Sequence, residues 1–182
     1  QAAGQWATNH LGEYYAVGVG GAVTGRRADL AIIDDPVKGR EDADSETVRN
    51  KLWEWYRADL HTRLKPGAAV IIIQTRWHED DLSGRILPED YDGRSGDIEG
   101  RDGELWHVVS LPALAEANDP LGRKPHEALW PEWFSAESLL GERALQGERN
   151  WAALYQQRPS TEEGDYFRRD WFRWYEEMPR PE

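Results

Sequence analysis

The chain of 182 residues contains no cysteine. That excludes a disulfide framework, a cysteine-based zinc site and thiol catalysis. Long apolar runs are missing too. The longest strictly apolar stretch, Ala68 to Ile73, is far too short to span a bilayer. The first residues show no basic-then-apolar signal pattern, so the expectation is a soluble intracellular protein without a signal peptide or membrane association. Positive charge is scarce: 22 Lys and Arg stand against 34 Asp and Glu, a net charge of −12. Phosphate contact wants Lys and Arg, which argues against a surface that coats nucleic acid non-specifically. DNA touched through a local patch remains compatible with that charge. No Gly-Lys-Ser or Gly-Lys-Thr occurs anywhere, so the usual phosphate cradle is missing. The cluster Gly18-Val19-Gly20-Gly21 is too short and wrongly spaced to replace it.

Two short apolar runs, each ending in polar chemistry, dominate what is present. Leu30-Ala31-Ile32-Ile33 runs into Asp34-Asp35, and Val70-Ile71-Ile72-Ile73 runs into Gln74-Thr75-Arg76. Continuous β-branched runs of this length read as strands buried on both faces, the signature of a parallel sheet covered by helices. In open parallel sheets, chemistry collects beyond the carboxyl ends of the strands. Adjacent acids closing a buried strand suit a nucleoside-triphosphatase, one carboxylate for a magnesium shell and the next to orient or deprotonate the attacking water. The plainer reading of Asp34-Asp35 is an Asp-Pro turn before Pro36.

The length suits one domain, or one domain plus a tail. Gln1 to Gly12 is polar and weakly patterned, and Tyr14 to Val19 reads as a strand. Gly25-Arg26-Arg27 is a basic turn. Glu41 to Ser45 is acidic and loop-like, with Ser45 or Asp44 placed to cap a helix. Val48, Leu52, Trp55, Tyr56 and Leu60 recur at helical spacing, which predicts an amphipathic helix over Glu46 to Thr62 with its aromatic face in the core. Lys65-Pro66-Gly67 ends that helix and turns the chain into the second run, giving a strand-helix-strand parallel crossover. A short helix runs from Asp80 to Leu87, Pro88 to Gly103 is a Gly- and Asp-rich excursion, and Leu105 to Leu111 is a third strand. Asn118 to Leu129 is loop, Ser135 caps a helix over Ala136 to Leu145, and Glu148 to Gln157 adds a helical turn or two. From Arg158-Pro159 onward the chain reads as linker or tail. His78-Glu79-Asp80-Asp81 resembles a metal cluster in composition. Four consecutive residues cannot all face one ion, however, and the acids suit a helix N-terminus.

Several of these segments together resemble the large terminase subunits of tailed phages and prophages. The resemblance begins at Gly25-Arg26-Arg27-Ala28-Asp29-Leu30-Ala31-Ile32-Ile33-Asp34-Asp35-Pro36-Val37-Lys38, which is similar to a Walker B region. It continues through Thr62-Arg63-Leu64-Lys65-Pro66-Gly67 and Ile73-Gln74-Thr75-Arg76-Trp77-His78-Glu79-Asp80-Asp81-Leu82. It resumes at Ala128-Leu129-Trp130-Pro131 and at Trp151 to Pro159. The resemblance implies an α/β chain. Residues 1–150 would be the second half of a P-loop NTPase core (additional-strand, RecA-like), a parallel sheet flanked by helices. Residues 151–182 would be a linker toward a nuclease domain. It further implies that the 182 residues alone, without the P-loop and the nuclease, are inactive.

By the same resemblance, Asp34 matches the magnesium-associated carboxylate, held via water, and Asp35 stands where many relatives carry Glu as catalytic base. Gln74 and Thr75 match the coupling motif that senses the γ-phosphate, and Arg26, with Arg27 behind it, matches an arginine finger. Mg2+ and ATP would be the cofactors of the full-length protein. Its partners would be double-stranded phage DNA, the portal protein, the small terminase subunit and further copies in a ring on the procapsid, in the cytoplasm of an infected or lysogenic bacterial host. Two other readings stand beside it. One is an acidic, Trp-rich carbohydrate-binding or glycan-hydrolysing domain using Asp34 and Asp35, which needs its acids roughly 5–9 Å apart across a sugar and hence a sharp turn at the strand end. The other is a non-catalytic interaction module on a degraded ATPase fold.

Overall fold

The computed structural model describes residues 4–23 and 25–160. The chain forms two compact units, Gln1–Ser110 and Leu111–Glu182. Unit 1 is an α/β arrangement whose strands pair two by two. β1 (Gln5–Ala7) and β2 (Glu13–Tyr15) form an antiparallel hairpin, pinned by the cross-strand stack of Trp6 on Tyr14. β3 (Ala28–Asp34) and β4 (Leu64–Ile73) run parallel, with Ala31 opposite Val70, Ile33 opposite Ile72 and Asp34 opposite Ile73. β5 (Gly96–Glu99) and β6 (Leu105–Val108) form a second antiparallel pair.

Between β3 and β4 lie two helices, α1 (Arg40–Asp44) and α2 (Glu46–Glu54). Ser45 caps α2 by accepting from the Val48 N–H, and the helix widens into a π-helical turn over Trp55–Leu60 before a 3-10 turn at His61–Arg63. One core gathers Ile33, Leu52, Trp55, Tyr56, Leu82 and Ile86, with Val70, Ile72 and Trp106 packed against it. Burial, then the charges of Asp102 and Glu104, push the Tyr56 phenol up to about 12, so it stays neutral. α3 (Leu82–Ile86) contributes two of these core residues, and its N-cap is Asp81.

Unit 2 folds around Leu114, Ala128, Leu139 and Trp151. Ser135 caps α4 (Ala136–Asn150), which bends at Gly147, where φ is +74, and continues as a π-helical turn over Trp151–Tyr155. Leu114 bridges to Ala128. The Gln156 side chain both donates to the Leu114 carbonyl and accepts from its N–H, each at 3.1 Å, standing in for a strand neighbour. Asp119 holds Arg123 at 2.6 Å with both side chains almost fully buried.

Several sequence expectations need correction. The two apolar strands are not buried on both faces: Ala31 and Ile33 are inside, whereas Leu30, Ile32, Ile71 and Ile73 are 45–56 % exposed. The pair is only two strands wide among the described residues, and helices pack on one face of it, so β-branched content here marks propensity rather than double coverage. Glu41 to Ser45 is not a loop: Arg40–Asp44 is helical, with Ala43 buried and an Arg40–Asp44 ion pair one turn apart. Lys65-Pro66-Gly67 is not the turn after the helix; it lies inside β4 as a bulge, the register jumping from Ala28–Leu64 to Leu30–Ala69. Gly67 has φ of +78, which glycine takes without strain. Pro88 to Gly103 contains strand β5, and the strand expected over Tyr14 to Val19 is Glu13–Tyr15. Residues 161–182, including most of the expected linker, lie outside the described residues. No helix among the described residues is long and apolar enough to cross a membrane.

Two glycines give opposite tests. A Cβ at Gly84 would sit 1.7 Å from the Glu79 carbonyl oxygen, whereas a Cβ at Gly141 in α4 meets nothing within 4 Å. Gly84→Ala is expected to lower stability by about 3 kcal/mol through overpacking against backbone, and Gly141→Ala to raise it by up to about 1 kcal/mol through helix propensity. Urea denaturation of both variants checks this.

Candidate functional site

Parallel pairing brings the ends of β3 and β4 side by side, and this places the chemistry-bearing residues next to one another. The Asp35 N–H donates to the Ile73 carbonyl at 2.9 Å, extending the ladder one step beyond Asp34. There the strand breaks: Asp35 has φ of +38, a left-handed conformation that Asp tolerates better than most residues. The turn aims its carboxylate sideways, where Oδ1 accepts from the Thr75 N–H at 3.1 Å. Asp34 stays on the strand and is exposed. Asp35 and Thr75 thus meet across 40 positions of chain, and with Val37, Leu52, Gln74 and His78 they line one concavity.

The segment after β4 is held from α3. Gln74 Nε2 donates to Ser83 Oγ at 2.9 Å. Arg76 Nε donates to Asp81 Oδ2 at 2.6 Å, the two side chains 12 % and 5 % exposed. Asp81 Oδ1 also accepts from the Gly84 N–H at 2.8 Å, capping α3. Burial pushes the Asp81 carboxyl up, against the pull of Arg76 and the Gly84 amide.

Next to it, Asp80 is gripped by two guanidinium groups. Arg49 Nε lies 3.0 Å from Oδ2, while Arg85 reaches Oδ1 at 2.8 Å and Oδ2 at 2.6 Å. Burial alone would push the Asp80 carboxyl up, but the hydrogen bonds from Arg85 and Arg49 outweigh it and hold the group below its ordinary value. Of the sequence-level site residues, Asp35, Gln74 and Thr75 come together, with Asp34 beside them on the strand. Arg26 is engaged elsewhere: its guanidinium lies 4.1 Å from the Tyr15 ring centroid and donates to Gln5 Oε1 at 3.2 Å. Arg27 is exposed. His78, Asp80 and Asp81 serve as hydrogen-bond and ion-pair partners, and no group of three or more His, Asp or Glu among the described residues is arranged to hold a metal ion.

A family model for the terminase large subunit, T4-like-virus type, N-terminal, matches residues 4–174. The chain belongs to this terminase family. No curated protein matches it. Membership supports a part in phage DNA packaging, with DNA and the packaging machinery as partners in general terms. Within the terminase chain, Ser83 and Arg49 support the site without having stood out in the sequence, whereas Arg76 was read at the strand end and Asp81 as an acid suited to a helix N-terminus, where it is the cap. The signal that bore on Asp81 was its place three residues before Gly84 at a helix start, an N-cap spacing.

His78 offers a pH-sensitive readout of this site. Its Nδ1 accepts from the Asp80 N–H at 3.0 Å, and burial together with the Arg49 charge pushes the imidazole below its ordinary 6.5. An imidazole with a lower pKa in the folded chain takes up its proton more readily after unfolding. Its contribution to stability is therefore full above about 6.5 and is lost as pH falls toward the folded value. NMR titration is expected to place His78 below 6.5. His78→Gln is expected to flatten the fall in denaturation midpoint between about pH 7 and pH 5; an unaltered slope would assign that fall to other groups.

Proposed function

We propose that this chain carries the catalytic carboxylates and the coupling segment of an ATP-driven DNA-packaging motor, on a P-loop NTPase core of the additional-strand, RecA-like class. The observation that carries this reading is the contact between the Asp35 carboxylate and the Thr75 amide at the adjacent ends of two parallel strands. It joins the residue matched to the base with the residue matched to γ-phosphate sensing, at the edge where open parallel sheets place their chemistry.

Asp34 is exposed at the strand end and its carboxylate accepts no hydrogen bond from the described residues. It is the residue that would hold magnesium through the ion's water shell. One or two carboxylates with substrate phosphates suffice for magnesium, which seldom uses an all-protein cage, so the donor set fits. When bound, the ion with ATP supplies neutralisation of charge on the transferred phosphoryl group. Among the described residues nothing pairs with Asp35 Oδ2, while the Thr75 N–H occupies Oδ1, and that second oxygen would orient the attacking water and accept its proton. Gln74 and Thr75 would register the γ-phosphate and pass its loss to the segment behind them. Arg26, lifted from Tyr15, or Arg27, would complete a neighbouring subunit's site in a homo-oligomeric ring on the procapsid. Double-stranded DNA, portal protein and small terminase subunit are the partners this reading assigns. The full-length protein would also cut DNA with a C-terminal nuclease, in the host cytoplasm. The 182 residues carry no Gly-Lys-Ser/Thr cradle and would be inactive by themselves.

Steady-state hydrolysis by the full-length subunit, with and without procapsid, tests the assignment. Asp34→Ala is expected to abolish turnover, and Asp35→Asn to reduce it about 10²–10⁴-fold while sparing nucleotide binding. Asp35→Glu is expected to be tolerated, and Thr75→Ala to lower DNA packaged per ATP more than it lowers hydrolysis. Near-normal turnover in Asp35→Asn would move the base elsewhere. Titration of Mg-ATP into the 182-residue chain alone should give no binding heat; micromolar affinity would mean that the nucleotide is held without the expected cradle.

A further inference from the structure

We propose that Asp81, the N-cap of α3, and Ser83, on its first turn, are positioning residues that clamp Gln74 and Arg76 and so hold the Thr75 amide against Asp35. The inference rests on the hydrolytic reading and assigns roles to two residues which that reading leaves without one.

The strand ladder ends at the Asp34–Ile73 pair, with one more bond from the Asp35 N–H. Beyond Ile73 the chain has no strand neighbour among the described residues to fix it, and ordering free backbone is costly. Two side-chain contacts take over, one on each side of Thr75. Gln74 is tied to Ser83 and Arg76 to Asp81, at 2.9 and 2.6 Å. The residue between them donates its N–H to Asp35 Oδ1.

The clamp is itself rigidly mounted. Leu82 and Ile86 sink α3 into the core, 2 % and 3 % exposed. Arg85 joins it to Asp80 and to Asn50 on α2, each within 2.8 Å. Gly84 lets the helix start lie directly on the Glu79 backbone, the space of its missing Cβ taken by the Glu79 carbonyl with the Arg76 guanidinium 3.3 Å away. A chain free to drift after β4 would need none of this. The polar atoms of Gln74, Ser83, Arg76 and Asp81 instead pair with one another in a half-buried setting, where each lost partner leaves an unsatisfied group.

Asp81 has a second task as the α3 cap, so Ser83 separates positioning from stability. In the full-length subunit, Ser83→Ala is expected to lower kcat roughly five- to tenfold, the rate equivalent of one lost hydrogen bond. KM for ATP should stay within about twofold and Tm within about 2 °C, and Ser83→Thr, which restores a hydroxyl, should restore kcat. Asp81→Asn keeps a capping side chain but removes the negative charge paired with Arg76, and is expected to lower kcat at least as far. Wild-type kcat in both Ser83→Ala and Asp81→Asn, with Asp35→Asn inactive, would overturn the positioning role and leave the hydrolytic reading standing. So would a loss in Ser83→Ala that Ser83→Thr does not rescue or that tracks a fall in Tm. Absence of ATP hydrolysis by the wild-type subunit, or full turnover in Asp35→Asn, would overturn the hydrolytic reading and the clamp with it.

Discussion

Parallel strands cannot be joined by a tight turn, because the chain must return to its starting edge before it pairs again. Here α1, α2 and the turns after α2 make that return, and the β3–β4 ladder then fixes Asp34 beside Ile73. Everything at the site depends on this register. A slip by one residue would turn Ile33 and Ile72 away from Leu52 and Trp55 and bring their exposed neighbours in. It would also separate Asp35 from Thr75, which are 40 positions apart in sequence and meet only because their strands end together. The bulge around Gly67 absorbs the mismatch at the far end of the pair, which leaves the ladder regular from Leu30–Ala69 to the site.

The ion pairs around the site belong to a different class from those on the surface. Arg57–Glu54 and Arg94–Asp92 are more than half exposed on both partners and contribute little. The side chains of Arg49, Arg76 and Arg85 are only 11–16 % exposed; Arg76 is matched to the buried Asp81, and Arg49 and Arg85 share Asp80, itself 41 % exposed. Desolvation offsets much of the attraction in such pairs, so their worth lies less in net stability than in geometry: removing one partner strands the other. They fix α3 against α2 and against the segment after β4, in directions that apolar contacts alone would leave loose.

Local signals carried the elements that were legible. The β-branched runs located β3 and β4, and Ser45 and Ser135 marked helix starts, because propensity and capping depend on neighbours a few positions away. Of the predicted aromatic face, Leu52, Trp55 and Tyr56 are in the core. Coverage of the strands was not legible, since Leu30 and Ile32 have the same chemistry whether or not another layer lies over them. Charge misled at Glu41 to Ser45: a short acidic stretch reads as loop until Ala43 is seen to be buried and Arg40 to pair with Asp44. At the site, the sequence placed Asp34, Asp35, Gln74 and Thr75 at strand ends. The partnerships of Gln74 with Ser83 and of Arg76 with Asp81 depend on how α3 returns to the strand, which no local pattern encodes.

Successive residues of a strand point to opposite faces, so two adjacent acids cannot serve one centre while the strand stays regular. Continued as β-structure, position 35 would follow Ile33 toward the side where Leu52 and Leu82 pack, a costly place for a charge. The left-handed φ of +38 at Asp35 resolves the conflict by ending the strand between the two acids. That conformation costs on the order of 1 kcal/mol. It is held by two hydrogen bonds, the Asp35 N–H to Ile73 and the Thr75 N–H to Asp35 Oδ1. Neither bond demands a carboxylate. Glycine would relieve the strain, and asparagine could take the same φ and accept the same amide through its side-chain oxygen. The fold therefore accounts for a turn residue at position 35 and for one acceptor atom. It does not account for the second oxygen or its charge, and it is that oxygen, left over when the structural needs of the turn are met, to which the proposed chemistry assigns a task.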